Sequence, residues 1–121
     1  MSSERLQMPA STLGEVEGYR AFAIPTVFGD YLPMVEFRLR TGHRFGFSYA
    51  WLTAANFQPE GIVLAFTNGT QVTIRGRHLL ALYTALVRHQ VVSVNEADEP
   101  TSLLVAESQP VVESIQVQNP E

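Results

Sequence analysis

The residues with the clearest chemical potential stand directly before the one helical pattern of the chain. Arg75, Gly76, Arg77 and His78 precede the apolar run Leu79–Val87. A helix N-terminus carries partial positive charge, so cations there are unfavourable, and no Ser, Thr, Asp or Asn caps its free N–H groups. A glycine among basic residues at this position is typical of an anion-binding site. We therefore predict an anion there.

The sequence leaves two candidates for the group that occupies this site. One is an external phosphate, sulfate or carboxylate ligand. The other is an acid of the protein itself from the acidic C-terminal part of the chain, the candidates being Glu96, Asp98 and Glu99.

A second basic group is expected on one face of a hairpin. Arg38 and Arg40 alternate with apolar residues, and Arg44 follows on the returning strand. Side chains in a strand point alternately to opposite faces, so these arginines are predicted to form a basic patch around Glu36. Such a patch is ordinarily solvated, and it is also a place where phosphate could bind.

No metal site is predicted. The chain has no cysteine, which leaves no thiolate ligand, no Cys nucleophile and no disulfide. His78 and His89 would lie about 16 Å apart along a helix, too far for one ion, and His43 is on a separate segment.

Catalytic residues are not predicted either. The acids of the central part, Asp30, Glu36 and Glu60, lie on three different segments and do not suggest a carboxylate pair. No phosphate-binding or dinucleotide-binding glycine motif and no nucleophile elbow is present. We expect no cofactor, and we lean towards a non-enzymatic protein while leaving the question open.

Charge is distributed unevenly along the 121 residues. All basic residues are Arg. Residues 31–89 hold six Arg and two acids, a net +4, whereas residues 90–121 hold six acids and no base, a net −6. Residues 1–30 contribute −2, giving the overall −4. A basic centre thus lies between acidic ends.

Hydropathy and the N-terminal residues favour a globular protein outside the membrane. Hydrophobic residues make up 45% of the chain, and no apolar run approaches the roughly 20 residues that cross a bilayer. The first residues lack the basic-then-apolar pattern of a signal peptide. We expect a cytoplasmic protein without membrane contact.

The elements that must position these residues are two hairpins, a helix and a strand. Apolar residues alternate around Thr41-Gly42-His43, and again around Asn68-Gly69, the strongest short hairpin signal. Leu79–Val87 is helical, and Gln90–Asn95 is β-branched enough to return as a strand. The fold class is therefore α+β: an antiparallel sheet of four to five strands with one helix packed on it and extended termini.

The sequence divides into three parts. Residues 1–17 have no usable period and are predicted to be an N-terminal arm, residues 18–98 a single α+β domain. Residues 99–121 form an acidic segment expected to pack on the domain or on a partner subunit.

The helix also suggests an oligomer, because small or apolar residues occupy nearly all of its faces and a second cover is needed. We predict a homo-oligomer with the helix or the C-terminal segment at the interface. The interface residues expected are Ala81, Thr84, Ala85, Leu103, Leu104 and Val105.

The pattern Gly-Arg-x-Leu-x-x-Leu-Tyr-x-x-Leu-x-x-His runs from Gly76 to His89. It resembles a pattern of small uncharacterised bacterial proteins, and the resemblance spans residues of about 34–98. It implies a bacterial protein and no particular activity. Small Sm-like barrels are a looser analogy, but their motifs are absent and their helix precedes the first strand.

These observations favour a small non-enzymatic, self-associating interaction module, which binds a copy of itself or another protein. The alternative is an anion- or nucleic-acid-binding protein that uses the Arg-rich centre. The two differ in their response to salt, because phosphate contacts weaken steeply as salt rises and an apolar interface does not.

Overall fold

A computed structural model describes residues 19–25 and 32–120. In chain order the elements are β1 (Phe22–Ala23), β2 (Met34–Arg38), β3 (Arg44–Ser48), a 3₁₀ turn (Tyr49–Trp51), β4 (Leu52–Gln58), β5 (Gly61–Phe66), β6 (Gln71–Arg77), α1 (Leu80–Val87), β7 (Ser93–Asn95), α2 (Glu99–Leu104) and β8 (Val111–Gln118). The predicted arm, residues 1–17, lies outside the described residues.

The strands form two four-stranded sheets. The first has the order β1-β7-β2-β3, in which only β7 and β2 run parallel. The second, β4-β5-β6-β8, is antiparallel throughout. The α+β fold class is confirmed. The 3₁₀ turn ends β3, and the next strand, β4, pairs with β5 instead of continuing the first sheet. The strands are therefore divided between two sheets.

Both predicted hairpins are present. In the second, Gly69 has φ +92°, its N–H donates to the Phe66 carbonyl at 2.9 Å, and the Asn68 side chain accepts from the Thr70 N–H at 3.0 Å. The positive φ is one that glycine adopts without strain, which explains why this turn was visible in the sequence.

The core lies between the sheets and α1. Its fully buried members include Phe37 of the first sheet, Leu64 and Ile74 of the second, and Leu82 and Leu86 of α1. Helix α1 begins at Leu80, one residue after the predicted start at Leu79, and ends at Val87 as predicted. Only part of its apolar surface meets the core, because Leu80 and Val87 remain 60% and 45% exposed.

Helix α1 ends in a Schellman motif with histidine in place of the usual glycine. The Gln90 N–H donates to the Ala85 carbonyl at 2.9 Å and the His89 N–H to the Leu86 carbonyl at 3.0 Å. His89 has φ +58°, and its ring stacks on Tyr49 with centroids 4.5 Å apart. This stacking stabilises His89 in a left-handed conformation that usually favours glycine.

The C-terminal segment predicted for residues 99–121 contains α2 and β8. Strand β8 pairs with β6 from Gln71↔Gln118 to Arg77↔Val111, with a register shift at Gly76. This strand is an edge of the second sheet. The division of the chain into arm, domain and acidic segment stays a prediction. None of the helices in the described ranges is long and apolar enough to cross a membrane.

Candidate functional site

Arg77, at the end of β6, makes contacts with α2 and β8. Its Nη2 donates to the carbonyls of Ser102 and Val105, both at 3.1 Å, and its Nη1 lies 3.2 Å from a carboxylate oxygen of Glu113. Arginine at the C-terminal end of a helix binds the last free carbonyls and suits the helix dipole. An acid of the chain therefore meets Arg77, and it is Glu113, not one of the three acids suggested by the sequence.

Two other members of the predicted anion site, Arg75 and Gly76, pair with β8. A Cβ on Gly76 would lie 2.0 Å from the Val111 carbonyl oxygen, so glycine is required here by the close approach of two strands. Arg75 and His78 are exposed, and His78 has φ +59°. Backbone packing accounts for Gly76 without an anion. The binding of an external anion by these four residues stays a prediction.

The predicted basic patch is brought together only in part. Arg38 and Arg44 are cross-strand partners, and their guanidinium groups lie 2.7 Å and 3.9 Å from the same oxygen of Glu36. Arg40 lies apart, with its Nε 3.8 Å from Glu96. Because carboxylates face all three arginines, the patch carries less free charge than the residue count suggests.

Glu96, which the sequence suggested as a partner of the basic cluster before α1, binds backbone N–H groups elsewhere. Its side chain is only 7% exposed. One carboxylate oxygen accepts from the Arg40 N–H at 2.9 Å and the other from the Ile115 N–H at 2.9 Å. Since Arg40 follows β2 and Ile115 lies in β8, one carboxylate joins the two sheets. The sequence offers no local signal for this role.

Two tyrosine hydroxyls also join distant segments. The Tyr49 hydroxyl donates to the Val91 carbonyl at 2.8 Å and accepts from the Val91 N–H at 3.1 Å. The Tyr19 hydroxyl donates to the Asn95 carbonyl at 3.1 Å and accepts from the Val112 N–H at 2.9 Å. Burial raises the pKa of both tyrosines, more strongly for Tyr49. The neutral hydroxyls are therefore favoured in the folded protein.

Helix α2 is anchored at both ends. At its start the Asp98 side chain accepts from the Thr101 N–H at 2.8 Å, and hydrogen bonding by Thr101 lowers the pKa of this carboxyl group. At its end the carbonyls of Ser102 and Val105 are bound by Arg77. The backbone of this six-residue helix is thus hydrogen-bonded at both ends.

The predicted interface residues have different surroundings. Leu103 and Leu104 are 77% and 69% exposed, Ala81 is exposed and Thr84 is half-buried. Ala85 and Val105, at 8% and 7%, are instead buried within the chain's own two clusters of core residues. The predicted interface is corrected at these two positions, because neither offers a surface to a partner.

Within the described ranges no three His, Asp or Glu side chains are grouped so that they could hold a metal ion. Comparisons of the chain with protein-family models, with curated proteins and with solved structures find no match.

Proposed function

We propose that this protein is a small, non-enzymatic interaction module that binds a second copy of itself. The observation that carries the proposal is the adjacent pair Leu103 and Leu104, which are 77% and 69% exposed. A leucine left in water forgoes about 1.5–3 kcal/mol of burial free energy. Grouped exposed apolar residues mark interaction surfaces.

The anchoring of α2 supports this proposal. Asp98 fixes the first turn of the helix, and Arg77 binds the carbonyls at its end. A surface that is already ordered loses less conformational freedom on binding. The leucine pair is therefore better suited to an interface than the same residues on a loose tail.

Charge favours a second copy as the partner. Residues 96–121 hold six acids and no base, whereas residues 61–95 hold three Arg and no acid. Helix α1 lies in the basic stretch and exposes Leu80 and Val87. The acid-flanked leucines of one protomer thus complement the α1 surface of another, which ends beside the exposed Arg88. In a two-fold dimer this contact occurs twice, with Ala81 and Thr84 near its centre.

The solution mass tests the proposal. We expect light scattering to give at least twice the 13.4 kDa chain mass for the unaltered protein. The double variant Leu103→Ser/Leu104→Ser should lower this mass. The control is Met34→Ser, which removes another exposed apolar side chain, 51% exposed, from the first sheet and should leave the mass unchanged. An unaltered protein that is monomeric at all concentrations would contradict the proposal.

The alternative is binding of an anion or nucleic acid by the Arg-rich centre. It has less support, because Glu36 faces Arg38 and Arg44 while Glu113 faces Arg77. Titration with a labelled oligonucleotide at increasing salt tests it. Binding that weakens steeply with salt would favour this alternative over self-association as the function.

A further inference from the structure

The outer edge of β4 is a second interaction surface. Strand β4 is an edge of the second sheet and pairs on one side with β5. Among residues 19–25 and 32–120, no strand pairs with its other side. An edge of this kind presents unpaired N–H and C=O groups to other chains.

The turn at Pro59 and Glu60 shows which groups face outwards. Gln58 and Gly61 close this two-residue turn, and in such a hairpin the closing pair exchanges hydrogen bonds. Alternation then directs the backbone groups of Ala55 and Phe57 away from β5.

The contact between Ala55 and Tyr83 agrees with this orientation. The Tyr83 hydroxyl of α1 lies 3.5 Å from the Ala55 carbonyl oxygen, so this oxygen faces away from β5. An O–H···O hydrogen bond is typically about 2.7–2.8 Å long. The Ala55 carbonyl is therefore poorly satisfied and can accept a better donor.

The other edges are protected more fully than β4, where only Tyr83 of α1 reaches the Ala55 carbonyl and the Phe57 ring in the described part of the chain. Strand β1 has only two residues, and β3 begins with the charged Arg44. On β8, the N–H groups of Val112 and Ile115 donate to Tyr19 and Glu96. Strand β4 has seven residues, none charged and none proline. Charges and prolines are the usual means of preventing edge-to-edge pairing.

We infer that β4 pairs antiparallel with β4 of a second copy across a two-fold axis, which joins their second sheets into one. The register that uses both outward-facing residues places Ala55 opposite Phe57 of the second copy, and Asn56 at the axis opposite its equivalent. The Phe57 N–H then replaces the Tyr83 hydroxyl at the Ala55 carbonyl. Each phenylalanine, 44% exposed in the single chain, lies beside a small alanine.

The occupant is a second copy because β4 is complementary to itself. Like charges on a self-pairing strand would meet their equivalents near the axis and repel, and β4 has no charge. The inference rests on the proposed self-association, but its surface differs from those of α1 and α2. The two can therefore be tested separately.

A single cysteine at the axis provides the first test. The chain contains no cysteine, so cross-linking has no background. In the inferred register the Asn56 residues form a non-hydrogen-bonded pair, with Cα atoms about 4.5 Å apart, within the range of disulfides. We expect Asn56→Cys to give mostly covalent dimer under mild oxidation. The control Gln116→Cys, exposed on the opposite edge strand β8, should stay mostly monomeric. Equal cross-linking of the two variants would overturn the inference.

A charge at the same position provides the second test. Asn56 is exposed, so Asn56→Lys should leave the circular dichroism spectrum unchanged while the two lysines repel at the axis. We expect the solution mass to fall, whereas Gln116→Lys leaves it unchanged. If Leu103→Ser/Leu104→Ser lowers the solution mass and Asn56→Lys does not, the β4 inference is wrong and the proposed function stands. The reverse result supports β4 and rejects the contact between α1 and α2. A purified protein that neither dimerises nor cross-links overturns both.

Discussion

One carboxylate oxygen of Glu96 lies 2.9 Å from the N–H of Ile115, while the other accepts from the N–H of Arg40 at the same distance. One donor, Ile115, lies in β8 of the second sheet and the other, Arg40, in the turn after β2 of the first, and the Glu96 N–H itself donates to the Arg38 carbonyl at 2.9 Å. Both of its carboxylate partners donate, so the site requires a side chain with two acceptors. Glutamate meets this requirement and glutamine does not, because its amide nitrogen is a donor.

We therefore expect Glu96→Gln to lower the free energy of unfolding by about 1–3 kcal/mol, since one backbone N–H then faces another donor. Urea denaturation measures the change. The matched control is Glu107→Gln, which removes an exposed acid further along the chain. Its effect should stay within about 0.5 kcal/mol. Equal effects of the two substitutions would show that Glu96 does not hold the sheets together.

Tyr49 should make the folded protein sensitive to alkali. Burial raises its pKa above the usual value of about 10, so the folded state binds more protons than the unfolded state once the pH exceeds that value. Stability is therefore fully present below about pH 10 and falls as the pH rises further. The chain has neither Lys nor Cys, so tyrosines are the side chains that titrate in this range.

The variant Tyr49→Phe tests this pH dependence. It should be less stable than the unaltered protein at neutral pH, because the N–H and C=O of Val91 lose their partner. Its stability should then fall less between about pH 9 and about pH 11. Some slope remains because the pKa of Tyr19 is also raised. Urea unfolding at several pH values measures both effects, and identical slopes in the two proteins would contradict the argument.

His78 occupies a backbone conformation that suits glycine. Its φ is +59° and its side chain is exposed. Placing a non-glycine residue in the left-handed region costs about 1–2 kcal/mol of stability. Replacing it with glycine removes this strain, but part of the gain is lost because glycine makes the unfolded chain more flexible. We expect His78→Gly to raise the free energy of unfolding by about 0.5 kcal/mol. Arg88→Gly, at φ −96°, should lower it instead. A loss of stability in both variants would indicate that the His78 side chain makes a stabilising contact.

The sequence predicted the elements whose signals are local. Alternation around Gly42 and Asn68-Gly69 marked two hairpins, and 3.6-residue spacing marked α1. Strand β4 has no such local signal, because Ala54, Ala55 and Asn56 lack apolar alternation and form a strand only by pairing with β5. The division into two sheets depends on the same long-range pairing, which a single sequence does not encode locally.

The candidate site shows the same limit. The basic cluster at Arg77 suggested either an external anion or an acid of the chain, and Glu113 is the acid that lies beside Arg77. Which acid this is depends on the register of β8, where a shift at Gly76 leaves Glu113 beside Arg77. Two of the acids that the sequence suggested form other hydrogen bonds. Glu96 accepts from the Ile115 N–H, and Asp98 accepts from the Thr101 N–H at the start of α2.

Arg77 should therefore matter more for stability than the neighbouring Arg75. Arg77→Glu removes the hydrogen bonds to the Ser102 and Val105 carbonyls and places a second negative charge beside Glu113. We expect a loss of more than about 1 kcal/mol in the free energy of unfolding. Arg75→Glu makes the same charge change two residues away at an exposed side chain and should stay within about 0.5 kcal/mol. Because Arg77 anchors α2, its variant should also weaken any dimer formed through Leu103 and Leu104, as measured by the concentration at which the solution mass falls by half. If both variants are equally mild, the guanidinium of Arg77 is not what holds α2 in place.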